Sequence, residues 1–504
     1  MKNPPNIVLI MADQLAPQFT GAYGHPLVKT PHMDALAARG TRFDAAYCNS
    51  PLCAPSRASF MAGQQVSRIH TYDNAAEFPA TIPTFAHYLR ASGYRTCLSG
   101  KMHFVGPDQL HGFEERLTTD VYPADTAWTP DWDHPDQRIA HWYHNMDAVR
   151  QASAAATTFQ YDYDDEAVFF ARRRIFDYRM TGAEPFAMVV SLIHPHDPYV
   201  SRPEFWDLYD HDAIDMPEDA AISDAHSKRL ALGIEAHQGA VTEAQIRKAR
   251  HGYYANVSYF DSNVGKIVQA LKEADLCDDT IIIVTADHGD MLGERGLWYK
   301  MSWLEHSARV PLIVAGPGVR HQTWNAPCSL VDILPTFRDI AGDSGPLGAP
   351  LDGVSLWPTL TDGGETQTEA IGEYCAEMAP GYPVFMIRRG AYKYIHCQVD
   401  DPQLFDLDAD PGERTNLATS PAHAEIAQDF AAEAAARWDS EAIRQSVLAS
   451  QNMRRVVTPA LERGRMTSWD YTPPRDAAQE FVRNTVSWDD VLHRMQYPAP
   501  EAHE

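Results

Sequence analysis

Short, continuous apolar runs constrain the fold of this chain more than any other feature. Four of them are rich in β-branched and long aliphatic residues, and they lie at 7–12, 186–193, 280–286 and 311–318. Runs of this kind are typical of strands that are buried on both faces. Helical patterns, such as those at 169–180 and 263–274, lie between them. The alternation predicts an α/β fold in which helices flank a large, mostly parallel central sheet.

The predicted secondary-structure pattern of the sequence changes near residue 370. A chain of 504 residues exceeds what one hydrophobic core usually serves, so more than one domain is expected. Residues 1–369, which contain the alternating strands and helices, are predicted to form a large α/β domain. Residues 370–450 read as antiparallel strands followed by an Ala-rich helix, which indicates a smaller α+β domain. Residues 451–504 are predicted to form an extended tail. This tail is unusual for a disordered segment because it carries Trp469, Tyr471, Trp488 and Tyr497.

Charge and cysteine usage limit the partners and the compartment. The net charge of −26 disfavours nucleic acid and anionic membranes as partners, and mildly favours cationic ligands and metal ions. Seven cysteines without a repeating spacing argue against a disulfide framework and indicate a reducing compartment. The N-terminal apolar run has no signal-peptide cleavage site after it, and no stretch approaches the ~18 apolar residues of a membrane span. We therefore expect a cytoplasmic protein.

Two of the predicted strands run directly into carboxylates. The first ends at Asp13, and the third is followed by Asp287, His288 and Asp290. Ligands of open α/β sheets collect beyond the carboxyl ends of the strands, and hard divalent cations prefer several oxygen ligands. A single strand-end aspartate is often only a turn or helix-cap residue. Together, however, these side chains predict a metal site, in which the His288 imidazole would admit manganese as readily as calcium or magnesium.

A second group of polar residues could bind an oxyanion. Arg57, Lys101 and Lys300 are cationic hydrogen-bond donors, and His103 and His196 could transfer protons near neutral pH. Each of them is ordinary on its own, so the prediction depends on their convergence in the fold.

The segment "PLCAPSRASFMAG", residues 51–63, raises a separate question about Cys53. Its spacing fits neither a zinc ligand pair nor a thioredoxin-type CxxC. One alternative is an inert buried cysteine. The other comes from a resemblance, because "CAPSRASFMAG" resembles the sulfatase signature C-x-P-S-R-x-x-x-x-x-G.

Further blocks follow this signature in the order that the same family shows. With Asp13 they are "GKMH", "HPHDPY", "ADHGD" and "GLWYKMSWLEHSARVP". The chain is therefore similar to the type I sulfatases of the alkaline phosphatase superfamily over roughly residues 1–420. The resemblance to the choline sulfatase branch of this family extends over nearly the whole chain, and is carried by "TYDNAAEF", "GPDQLHGFEERLTTDVYPAD", "WYHN" and the long tail.

The resemblance implies roles for the residues that match. Cys53 would be converted to formylglycine, the nucleophile, by a maturation enzyme that reads Pro55 and Arg57. One divalent cation, by the usual family assignment calcium, would be held by Asp13, modified Cys53, Asp287 and His288. Arg57 would orient the formylglycine, with Lys101 and His103 nearby. His196 and Lys300 would bind the sulfuryl oxygens and assist the leaving alcohol, with His194 as the alternative to His196.

The chain departs from the usual family pattern at two positions. Gln14 follows Asp13 where many sulfatases have a second aspartate, and His288 follows Asp287 where many have asparagine. Gln14 can offer a carbonyl oxygen but no charge, so the predicted site is less anionic and the calcium assignment less secure.

The expected substrate is choline O-sulfate, which would be hydrolysed to choline and sulfate. A quaternary ammonium donates no hydrogen bond, so its pocket needs aromatic faces and carboxylates. The candidates are Asn74, Trp128, the "HWYHN" block with His144 and Asn145, and Asp489. The tail is expected to join subunits into a dimer or tetramer, so that Asp489 reaches a neighbour's pocket. The alternatives are a phosphonate monoester or phosphodiester hydrolase and a non-catalytic metal or choline-sulfate binding protein.

Overall fold

The structure is a computed structural model. It describes residues 4–498 with the exception of 140–143, 183, 219–221, 223, 237–238, 365–368 and 466–467.

The strands of the described residues form one large sheet and two smaller ones. In chain order they are β1 Asn6–Asp13, β2 Thr41–Tyr47, β3 Arg95–Gly100, β4 Glu115–Arg116, β5 Ser153–Ala154, β6 Phe186–Pro195, β7 Val200–Ser201, β8 Thr280–Ala286, β9 Arg309–Ala315, β10 Gln322–Trp324, β11 Cys328–Ser329, β12 Glu369–Tyr374, β13 Val384–Arg389, β14 Tyr392–Cys397 and β15 Gln403–Asp406.

The large sheet has the strand order β10-β2-β9-β8-β1-β6-β3-β4, and β11 pairs with β2. All of its neighbouring pairs are parallel except those that β9 makes with β2 and β8. Strands β1, β6 and β8 are completely buried, as their continuous apolar runs predict. The predicted α/β fold with a mostly parallel central sheet is confirmed.

Helices flank this sheet and continue into the C-terminal region. They are α1 Pro31–Ala37, α2 Cys53–Ala62, α3 Val66–Ile69, α4 Phe85–Ala91, α5 Asp147–Arg150, α6 Phe159–Thr181, α7 Pro203–Trp206, α8 Ala225–Gly233, α9 Glu243–Glu273, α10 Glu305–Ala308, α11 Ile333–Ala341, α12 Trp357–Thr361, α13 Ala424–Arg437, α14 Ser440–Leu461, α15 Ala477–Glu480 and α16 Trp488–Met495. The two longest central helices, α6 and α9, pack on β6.

The C-terminal region contains an antiparallel sheet in the order β12-β13-β14-β15. Its apolar face and α13 share a separate buried cluster that includes Phe385, Phe430 and Trp438. The division into 1–369, 370–450 and 451–504 stays a prediction, and α14 runs across its second boundary. Within the described residues, no helix combines the length and the apolar character that crossing a membrane requires.

Candidate active site

The register of the central strands brings two distant carboxylates together. Strands β1 and β8 are parallel neighbours, and Ala12 pairs with Ala286 in the last step of their ladder. The next residue of each strand is an aspartate, so Asp13 and Asp287 leave the sheet side by side. The backbone N–H of Gln14 donates to Asp287 Oδ1 at 3.1 Å and fixes the second carboxylate against the end of β1.

Helix α2 begins at Cys53 and points its N-terminus at this pair. The Cys53 Sγ lies 3.2 Å from His288 Nε2 and 3.7 Å from Asp13 Oδ1. The Asn74 Oδ1 accepts a hydrogen bond of 2.9 Å from the N–H of Ala54, which satisfies one of the free donors of the helix N-terminus. Burial raises the pKa of the Cys53 thiol to about 12, so an unconverted thiol stays protonated at neutral pH.

The donor set around Cys53 fits a divalent cation. Asp13, Cys53, Asp287 and His288 each offer one ligand atom, and these atoms lie within 4.8 Å of one another in a fully buried cluster. The His288 Nδ1 lies 3.0 Å from the Gly289 carbonyl oxygen and donates its hydrogen there. Burial lowers the pKa of His288 to about 3, so the lone pair of Nε2 faces the two carboxylates, as a metal-ligating imidazole requires.

Arg57 is locked between the two carboxylates. Its Nε donates to Asp287 Oδ2 at 2.7 Å, and its Nη1 donates to the Lys101 carbonyl and to Ser191 Oγ at 2.8 and 2.7 Å. The Lys101 Nζ contacts Asp13 Oδ2. Burial favours the neutral form of Asp287, but the Arg57 guanidinium outweighs it and holds the pKa of that carboxyl below its usual range. Arg57 therefore keeps the Asp287 carboxylate ionised although its side chain is fully buried.

Lys300 and His196 form a second polar pair beside the cluster. The Lys300 Nζ lies 2.8 Å from His196 Nε2, and His196 Nδ1 lies 2.7 Å from the Asp197 carbonyl oxygen. Burial places the pKa of His196 well below its usual value, so the ring is neutral. His194 points elsewhere, because its Nδ1 pairs with Asp164 on α6 at 2.7 Å. The structure thus brings His196, and not His194, next to Lys300.

Gln14 belongs to this second pair and not to the candidate metal ligands. Its Oε1 accepts a hydrogen bond of 2.6 Å from Lys300 Nζ, and its Nε2 donates to Asp290 Oδ2 at 2.7 Å and to Asp197 Oδ1 at 3.2 Å. The amide thereby fixes the position of the Lys300 ammonium. Sequence reasoning considered Gln14 only as a weak ligand, although an amide that both donates and accepts is suited to such a bridge.

Comparison with known proteins identifies the family. The family model described as "Sulfatase" matches residues 5–343. The chain belongs to the sulfatase family. It is accordingly an enzyme that hydrolyses sulfuric esters, and the family implies a formylglycine and a divalent metal. Two further models match this sulfatase: "N-sulphoglucosamine sulphohydrolase, C-terminal" over residues 293–438, and "Choline sulfatase enzyme C terminal" over residues 445–497.

Individual relatives agree with this assignment. The sulfatase is 46% identical to the choline-sulfatase of Rhizobium meliloti (strain 1021) over 99% of both chains. It is 31% identical to the arylsulfatase K of Homo sapiens over 82% of this chain and 79% of that protein. The crystal structure of a phosphonate monoester hydrolase of Agrobacterium radiobacter shares the fold, with a TM-score of 0.69 and 24% identity over 88% of this chain and 96% of that one.

His103 packs against an aromatic wall that is formed by Tyr122 and Trp128. The side chain is 2% exposed, and neither of its ring nitrogens has a hydrogen-bond partner among the described residues. Burial and the neighbouring Lys101 lower its pKa to about 3, so both nitrogens belong to a neutral ring. The Trp128 ring meets it edge to face at 5.8 Å, and the Tyr122 ring lies 5.0 Å away. A buried imidazole of this kind is available to a bound substrate.

Tyr122 is a site residue that the sequence did not single out. The Lys101 Nζ lies over its ring at 4.1 Å, its hydroxyl is 3.4 Å from His196 Nε2, and its ring contacts Trp128 at 5.6 Å. The only available signal was its position in the "GPDQLHGFEERLTTDVYPAD" block. Tyr122 thus connects Lys101 and His196 to Trp128.

The remaining substrate candidates are distributed unequally. His144 stacks on Tyr299 at 4.3 Å and lies 5.9 Å from the His196 ring, so it reaches the site. The Asn145 Oδ1 instead accepts from the N–H of Asp147 at 2.7 Å in a local turn before α5, and its backbone carbonyl accepts from the Tyr299 hydroxyl. Asp489 is exposed on α16 and does not enter the site of its own chain. Trp142 and Tyr143 of the "HWYHN" block lie outside the described residues.

Proposed function

We propose that this sulfatase hydrolyses choline O-sulfate to choline and sulfate, with formylglycine at position 53 as the nucleophile. The observation that carries the proposal is the wall of Trp128 and Tyr122, which adjoins the buried cluster through Lys101, since Lys101 lies over the Tyr122 ring and contacts Asp13. A quaternary ammonium is held by aromatic faces, since it cannot donate a hydrogen bond. The name and the full-length similarity of the bacterial choline-sulfatase support the same substrate.

The side chains around position 53 suit the binding of a sulfate ester. Asp13, Asp287, His288 and residue 53 would hold the cation, which would supply positive charge beside the sulfuryl oxygens. Lys101 and Lys300 would donate hydrogen bonds to these oxygens in a buried site, where such donors act most strongly. The Lys300 ammonium is oriented by Gln14 and can protonate the departing choline oxygen, while His196 Nε2 accepts from it. His103 would hold a proton at the nucleophile.

We expect choline O-sulfate to be preferred over its uncharged isostere, 3,3-dimethylbutyl sulfate, by about ten-fold in kcat/KM. This factor corresponds to ~1.4 kcal/mol, the range of a cation held by an aromatic ring. Trp128→Ala should reduce the preference by lowering kcat/KM for the choline ester alone. Steady-state kinetics on both esters provide the measurement, and Trp324→Ala on the edge strand β10 is the matched control.

Equal values of kcat/KM for the two esters in the wild type would still be consistent with a sulfatase, but would contradict choline O-sulfate as its specific substrate. A phosphonate monoester, included in the same assay, tests the phosphonate hydrolase alternative. The 24% identity to the Agrobacterium radiobacter enzyme supports only a shared fold.

We propose that the tail mediates homo-oligomer contacts. Met453, Val456 and Trp488 are apolar but 66%, 74% and 57% exposed in the isolated chain. Contact with a second copy would cover such side chains and would allow Asp489 to approach a neighbour's pocket. We expect light scattering to give the mass of a dimer or tetramer, and Trp488→Ser together with Val456→Ser to lower it. A monomeric wild type would contradict this proposal.

Two further proposals concern the surroundings of the protein. A maturation enzyme would convert Cys53 by reading the signature around Pro55 and Arg57. We also propose a cytoplasmic location, because all seven cysteines are free thiols, as in proteins of reducing compartments.

A further inference from the structure

The turn that carries Trp128 lies in a stretch with little structure of its own. Strand β4 ends at Arg116 and α5 begins at Asp147, and no helix or strand occurs between them in the part of the chain that the structure describes. Within this stretch, Thr129 donates to the Thr126 carbonyl oxygen from its N–H at 3.3 Å and from its Oγ1 at 2.7 Å. These bonds close the turn around Trp128, but they do not fix its place relative to the nucleophile.

Helix α14 holds this turn at both ends. The Thr458 Oγ1 lies 2.8 Å from Thr126 Oγ1 and 3.2 Å from the Thr126 carbonyl oxygen. The Arg454 Nη1 donates to Thr129 Oγ1 at 3.2 Å. Arg454 and Thr458 are four residues apart, so they lie on the same face of the helix, one above the other. The two contacts therefore clamp the turn on either side of Trp128.

The same arginine is tied to the nucleophile helix. Arg454 pairs with both carboxylate oxygens of Asp73 at 2.7 and 2.8 Å, and Asp73 is fully buried. The next residue, Asn74, caps α2 at Ala54. A bidentate arginine–carboxylate pair is directional as well as strong. Arg454 thus links the turn of Trp128 to the residue that caps the helix of Cys53.

Further contacts extend the attachment along the loop. The Gln451 Oε1 accepts a hydrogen bond of 2.9 Å from the N–H of Trp132, and Arg455 forms ion pairs with Asp131 and Asp133. The loop thereby takes its conformation from α14, a helix that lies more than 300 residues later in the sequence. Most of α14 falls in the segment that the choline sulfatase C-terminal model matches.

We propose that α14 is a specificity element of this sulfatase and that Arg454 and Thr458 are positioning residues for the Trp128 ring. The inference rests on the proposed function, in which Trp128 faces the quaternary ammonium. The attraction between a cation and a ring requires a separation within about 6 Å, so a loosened turn weakens the recognition of choline. Lys101 and Lys300, the proposed donors to the sulfuryl oxygens, lie outside α14. Thr458 contacts the turn of Trp128, whereas Arg454 also reaches the helix of Cys53 through Asp73 and Asn74.

Thr458→Val tests this role because it removes the hydroxyl and keeps the shape of the side chain. We expect kcat/KM for choline O-sulfate to fall about ten-fold, mainly through KM, since small displacements of positioning groups carry large costs. The value for 3,3-dimethylbutyl sulfate should change less than about two-fold, and Thr458→Ser should restore the preference. Thr361→Val is the matched control: both hydroxyls donate at 2.9 Å to the carbonyl four residues earlier, but Thr361 lies on α12.

Arg454→Lys provides a second variant that keeps a cation against Asp73 but cannot form the bidentate pair. It should also lower the preference for the choline ester, and thermal unfolding shows that both variants are folded. An unchanged preference in Thr458→Val, with or without an equal loss on both esters, would overturn the inference and leave α14 a purely structural helix. A wild type that does not prefer choline O-sulfate over 3,3-dimethylbutyl sulfate would overturn the proposed function and this inference together. Because the wild type is assayed first, this outcome is distinguished from a failure of the inference alone.

Discussion

Replacing Cys53 by alanine is expected to abolish turnover while the protein keeps its fold. Alanine is the best helix former and fits the first position of α2, so the free energy of unfolding should change little. Turnover should fall by at least about four orders of magnitude, as for the loss of other covalent nucleophiles. Cys53→Ser is expected to be equally inactive, because the proposed conversion to formylglycine starts from a thiol.

The measurement is kcat/KM with the mass of the peptide that contains residue 53. Activity of the wild type should be proportional to the fraction of converted Cys53, since burial keeps the unmodified thiol protonated. Cys97→Ala, in β3 and fully buried, is the control for a cysteine outside the site. Full activity of unconverted protein would contradict the proposed nucleophile. Unmodified Cys53 from the native host, with tight binding and no turnover, would instead support the non-catalytic alternative.

The pair of carboxylates could be predicted from the sequence because each carboxylate directly follows a recognisable strand. Asp13 and Asp287 each follow a continuous apolar run, and the carboxyl ends of parallel strands meet at one edge of a sheet. Their adjacency also required β1 and β8 to be neighbours, which the apolar pattern does not specify. The same pattern did not show that β9 runs antiparallel to β2 and β8.

The choice between His194 and His196 depends on a contact distant in sequence. Both histidines flank Pro195, so no local pattern separates them. Asp164, on α6, pairs with His194 and removes it from the site. Gln14 and Tyr122 are similar cases, since Gln14 meets Lys300 at a separation of 286 residues and Tyr122 meets His196 at a separation of 74.

The substrate candidates show the same limit. Asn145 has the residue type of a ligand-binding side chain, but its Oδ1 accepts from the N–H of Asp147 two residues later, a local turn that asparagine favours. Asp489 is predicted to reach the pocket of a neighbouring subunit, so its role depends on a second copy of the chain and stays a prediction. The attachment of the Trp128 turn to α14 has no signal in the sequence at all, because it joins two segments that are more than 300 residues apart.

Removal of the divalent cation is expected to lower turnover by at least about three orders of magnitude and to lower the midpoint of thermal unfolding. Asp13, Asp287 and His288 are completely buried and converge on one point, so a cation there binds the native state alone. An ion at 100 times its Kd stabilises the folded protein by about 2.7 kcal/mol. Dialysis against a chelator, followed by elemental analysis, kinetics and thermal unfolding, gives the measurement.

Restoration with calcium, manganese and magnesium, each added alone, identifies the ion. The family resemblance predicts calcium, whereas the imidazole ligand of His288 is equally suited to manganese. Asp332→Asn is the matched control, because this carboxyl is also fully buried but lies outside the cluster. Its two oxygens accept from the N–H groups of Ser329 and Val354, so the amide should lower the midpoint of thermal unfolding without touching the metal site. It should respond to the chelator as the wild type does. Full activity in protein with far less than one cation per chain would refute the metal site.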